Sequence, residues 1–154
     1  MKFVSALTRI VVGVLFGIIA ALVLSPAAAA FNSGSESNAP MVVLAVVGLS
    51  AVLAFFAPTI RRAFGRGFLL AGTAFIALPI SMMLLSGRVA NDMITAADSG
   101  SQGATAVGAG IAGFAVTGIA TFVGLIAGAI FIIIGVVLAL GGRREVVIVE
   151  GRAR

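Results

Sequence analysis

Of the 154 residues, 61% are apolar and only 10% charged, against roughly a half and a quarter in a soluble domain, so this surface cannot be kept dispersed by water. The chain has no Cys, His, Trp or Tyr, which excludes disulfides, thiolate nucleophiles, imidazole ligation of metal or haem, and the commonest general base. Its net charge of +5 comes from basic residues at the ends of apolar runs, a placement that suits membrane orientation and gives no support to nucleic-acid binding.

Hydrocarbon is the solvent in which such a composition is stable, and the expected fold is an all-α integral membrane protein: a bundle of four transmembrane helices formed by residues 1–142, with a short basic tail at 143–154. The first span covers about residues 10–30, after Lys2 and Arg9. It ends in Ser25-Pro26-Ala27-Ala28-Ala29-Ala30, so a cleavable signal peptide and a retained helix both fit; its length favours retention. The polar stretch Asn32 to Asn38 then leads to a second span at about 40–58, closed by Pro58 and followed by Arg61, Arg62 and Arg66 in a short turn.

A third span at about 67–86 contains Pro79, which removes a backbone donor and should kink the helix. Residues 87–103, rich in Gly, Ser and carboxylates, are expected to form an exposed loop, with Val89 to Ala97 as a short interfacial helix at most. The last apolar run, Ala104 to Leu140, would be about 55 Å long if wholly helical, so its span of about 107–140 must tilt, project, or break near Gly108 to Gly113. Beyond Gly141-Gly142, Val146 to Val149 reads as a strand too short to form a sheet alone.

Lys2, Arg9, Arg61, Arg62, Arg66, Arg143, Arg144, Arg152 and Arg154 fall on one side of this topology and Arg88 alone on the other. That asymmetry predicts cytoplasmic N- and C-termini, and a bacterial inner (cytoplasmic) membrane is the favoured location. Arg61, Arg62, Arg66, Arg143 and Arg144 are candidate contacts to lipid headgroups or to a partner's acidic surface, although orientation alone accounts for them.

The most informative pattern is a run of small residues at steps of three and four: Gly103, Ala106, Gly110, Gly113, Thr117, Ala120, Gly124 and Ala127. Lipid offers helices no hydrophobic reason to associate, so close backbone approach must supply it, and such a seam is how a sequence permits that approach. Gly13 and Gly17 form a GxxxG in the first helix, and Gly124 and Gly128 another in the last. The seam serves packing within the monomer or between subunits.

No Asp, Glu, Lys or Arg lies inside the four apolar runs, which argues against proton or ion transport through buried carboxylates. The hydroxyls Thr73, Ser81, Ser86, Thr117 and Thr121 lack a base and are expected to bond to carbonyls one turn back. Catalysis is therefore not expected, and neither cofactor nor metal is called for. The sequence favours a non-catalytic accessory subunit of a larger membrane complex, its partners being membrane lipids and other membrane protein subunits or copies of itself. A homo-oligomeric, holin-like pore and a small-solute or lipid transporter are the alternatives.

Overall fold

The computed structural model describes residues 2–31 and 39–140, and there the chain consists of four α-helices: α1 (Lys2–Phe31), α2 (Ala39–Phe55), α3 (Ile60–Ala96) and α4 (Gln102–Leu140). Helices α1, α3 and α4 are long and apolar enough to cross a membrane. α2 has 17 residues and is about 25 Å long, just short of the roughly 30 Å hydrocarbon thickness. The basic tail, with Arg143, Arg144 and the strand expected at Val146 to Val149, lies outside the described residues.

Several boundaries differ from the sequence expectation. α2 stops at Phe55 rather than near residue 58, because Pro58 disfavours helical backbone at Ala57 before it. α3 starts at Ile60, capped by the Thr59 hydroxyl accepting from the Arg62 amide at 3.3 Å, so Arg61, Arg62 and Arg66 sit on the first turns of a helix and not in a turn. α3 then runs on through Arg88, Asn91 and Asp92 to Ala96, which replaces the expected long loop with five residues, 97–101. The isolated Gly87 in this stretch is tolerated because Ala, Met and Arg around it are good helix formers. α4 is unbroken through Gly108 to Gly113, and at 39 residues it is about 58 Å long.

The helices are not arranged as a closed four-helix bundle. α1 packs on α2 and α3, α2 touches α3 lightly, and α4 approaches the backbone of α3 alone. Ring-to-ring contacts bind the row together: Phe16 of α1 meets Phe64 and Phe68 of α3, Phe68 meets Phe131 of α4, and Phe131 meets Phe75, with centroids 4.7 to 6.2 Å apart. Phe16, only 9% exposed, lies directly over Gly67, where a Cβ would collide with its ring.

α3 and α4 run antiparallel, and glycines meet glycines. A Cβ on Gly65 would lie 3.0 Å from the Gly135 carbonyl oxygen, and one on Gly135 would lie 3.0 Å from that of Gly65. The same reciprocal 3.0 Å approach joins Gly72 and Gly128. Each helix thus carries glycines seven residues apart on one stripe, a spacing that keeps a seam facing its partner over successive turns. Where lipid supplies no solvophobic drive, this contact of bare backbones accumulates the dispersion energy that holds the pair.

Candidate interaction surface

The seam residues fall into two groups. Ala120, Gly124 and Gly128 are buried against α3, Ala127 and Thr117 are half-buried, and Gly113 faces Ser86 with its Cβ direction 3.3 Å from the Ser86 Cβ. Gly103, Ala106 and Gly110 are exposed, and nothing approaches within 4 Å of where a Cβ would stand on Gly103, Gly108, Gly110 or Gly118. The stripe of α4 from Gly113 to Gly135 is therefore covered by α3, while Gly103, Ala106 and Gly110, nearer the N-terminus of α4, are left open. Gly13 and Gly17 belong to a different contact: Gly13 approaches Ser50, Ala51 and Ala54, and Gly17 approaches Val47 and Ser50, all on α2.

Near Gly110 the α3–α4 pair carries two grooves. One groove is bordered by Met82, Leu85, Val89, Met93 and Val116, the other by Met83, Gly87, Gly110, Phe114 and Thr117, and Ser86, Ala90, Ala109 and Gly113 line both. The linings are almost wholly apolar, and Met83, Ile111 and Phe114 are exposed at 68%, 67% and 83%. Methionine at such a rim fits irregular partners because its thioether is flexible and polarisable.

Of the five hydroxyls expected to bond one turn back, those of Thr73, Ser81 and Thr121 do so, while those of Ser86 and Thr117 donate to no carbonyl among the described residues. Ser50 and Ser81, both buried, donate to the carbonyls of Val46 at 2.6 Å and Ala77 at 3.0 Å; Thr73 donates to Leu70 and Thr121 to Thr117. Pro79 leaves the Phe75 carbonyl without its helical donor, and the Cβ direction of Gly124 points at that oxygen from 2.5 Å. In glycine this direction holds a hydrogen, so α4 covers the freed carbonyl with a Cα–H group. Among the described residues no three carboxylates, imidazoles or thiols converge.

Three arginines act as caps between helices, a role that the sequence reading did not assign. Arg9 donates to the Ala57 carbonyl at 2.7 Å and the Pro58 carbonyl at 3.1 Å, and Arg66 to the Leu53 carbonyl at 2.9 Å, so two guanidiniums hold the C-terminal end of α2. Arg88 donates to the Ala30 carbonyl at 2.7 Å and holds the end of α1 in the same way. Arg61 and Arg62 are exposed. The double variant Arg9→Gln/Arg66→Gln should fray α2 from its C-terminus. Hydrogen bonds to charged groups are worth about 1.5–3 kcal/mol, so amide exchange over Leu53 to Phe55 should accelerate on the order of ten-fold or more while α4 is unaffected.

Comparison with protein-family models, with curated proteins and with solved structures finds no match for this chain.

Proposed function

We propose that this protein is a membrane-embedded accessory subunit that acts by helix packing, with the outer half of α4 as the surface that receives another subunit. The observation that carries this reading is the contrast along α4: glycines of its inner half are filled by α3, while Gly103, Gly108, Gly110 and Gly118 have no neighbour within 4 Å. Small residues in a lipid-facing stretch cost helix stability and add little contact with lipid, so their use is in letting another backbone come close. The two apolar grooves near Gly110, which itself lines one of them, supply side-chain contact for such a helix.

All four helices then cross the membrane, α2 falling slightly short of the hydrocarbon thickness and so requiring local thinning of the bilayer, and the chain ends lie on the cytoplasmic side of a bacterial inner membrane. The excess of arginine at the α2–α3 junction over the α3–α4 end supports this orientation. A pore lined by the seam is disfavoured, since its inner half is already covered by α3 and would have to be stripped of that helix. Carbonyl coordination at the Pro79 break, as a transporter would use, is disfavoured because Gly124 covers the Phe75 oxygen.

The test is extraction of the tagged full chain in mild detergent at its native expression level, then sizing and mass spectrometry of what remains bound. Unlike subunits should co-purify. They should be lost from Gly110→Leu and Gly118→Leu variants, whose Cβ positions have no neighbour within 4 Å in the monomer. A homogeneous ring of this chain with dye flux through liposomes would overturn the reading.

A further inference from the structure

We infer that the α2–α3 junction binds an anionic phospholipid, with the phosphate held by Arg61 and Arg62 and the acyl chains lying along neighbouring phenylalanine and isoleucine surface. This rests on the membrane placement proposed above but is independent of any protein partner. The four arginines at this end divide into two pairs by the work they do. Arg9 and Arg66 have guanidinium N–H groups committed to the carbonyls of Ala57, Pro58 and Leu53. Arg61 and Arg62 make no such bond to the described residues and are exposed on the first turn of α3.

The field at this end is one-signed among the described residues. The carboxylates among the described residues, Asp92 and Asp98, both lie past Arg88, at or just beyond the far end of the 37-residue α3. The positive end of the α3 dipole adds to the arginine charge there. An anion is thus attracted, and the adjoining surface says which kind. Phe56 is 71% exposed in the α2–α3 connection, and Ile60 and Phe64 are each 38% exposed beside Arg61. A free phosphate gains nothing from that apolar surface, whereas a phospholipid meets guanidinium with its headgroup and phenylalanine with its chains. Juxtamembrane arginines each contribute measurably to anionic lipid affinity, and the pair together should give on the order of ten-fold or more.

The experiment is native mass spectrometry of the purified full chain in detergent, titrated with phosphatidylglycerol and, separately, with phosphatidylcholine. Phosphatidylglycerol should be retained preferentially, and Arg61→Gln/Arg62→Gln should lower its apparent affinity on the order of ten-fold. Arg61→Lys/Arg62→Lys, which keeps the charge, should retain most of it. Arg66→Gln should retain it too, because that side chain is engaged with Leu53. Equal retention of the two lipids, an undiminished affinity in the glutamine variant, or displacement of the lipid by millimolar inorganic phosphate would each overturn the proposal. A failure to co-purify protein partners would leave these outcomes unchanged, so the two readings stand or fall separately.

Discussion

Gly124→Ala should pull α3 and α4 apart. Its methyl carbon would land 2.5 Å from the Phe75 carbonyl oxygen and 3.1 Å from Pro79 Cδ. A carbon and a carbonyl oxygen normally stand about 3.3 Å apart or more, and neither obstacle is a flexible side-chain tip that can swing away. The helices must separate, which strips dispersion contact from the glycine stripe on both sides, and we expect a cost of about 3 kcal/mol, at the upper end for overpacking. The chain has no cysteine, so a Ser86→Cys/Gly113→Cys pair reports the separation. The Cβ positions there are 3.3 Å apart, close to the separation of about 3.8 Å found in disulfides. Mild oxidation should cross-link this pair efficiently in the parent and poorly with Gly124→Ala. Pro79→Ala should act as a partial suppressor, because its restored N–H draws the Phe75 carbonyl back into the helix. Undiminished cross-linking in Gly124→Ala would refute the close approach.

The second large effect belongs to the opposite end of the row. Gly13→Leu would place a Cβ 2.6 Å from Ala54 Cβ, 2.7 Å from the Ser50 carbonyl oxygen and 2.8 Å from Ala51 Cα. α2 leans chiefly on α1, so there is little else to keep it in place once it is pushed off. Hydrogen exchange should rise along the whole of α2 and change little at the α3–α4 contact, reflecting a loss of about 3 kcal/mol confined to one interface. Gly48→Leu on the same helix is the control: nothing lies within 4 Å of its Cβ direction, and α2 should stay docked.

The helical content and the membrane-crossing length of three helices were legible in the sequence because continuous apolar runs carry both facts without knowledge of neighbours. The extent of α3 was not. Arg61, Arg62, Arg66 and Arg88 look like boundaries when charge is taken as punctuation, yet a long flexible side chain lets the backbone stay helical while its head reaches a carbonyl or water. Gly65 and Gly72 on α3 carry no signal in the sequence for a related reason. A glycine pair seven residues apart is unremarkable in a chain with 20 glycines, and it acquires meaning only when the pair on the other helix, Gly128 and Gly135, is seen opposite. The capping work of Arg9, Arg66 and Arg88 depends on residues 13 to 58 positions away, which no local pattern encodes.

The reciprocal glycines also set how α3 and α4 can slide. Gly65 faces Gly135 and Gly72 faces Gly128. Moving α4 along its axis by three or four residues, in either direction, brings Phe131 or Ile132 opposite one of the α3 glycines, where there is room only for backbone. The next register that avoids both is a full seven residues away, about 10.5 Å along the axis, and the five-residue connection at 97–101 would be drawn close to its full reach of about 17 Å to allow it. The pair therefore behaves as a ratchet with one comfortable notch: a force on the α3–α4 connection would move the two helices as a single stiff rod rather than past one another.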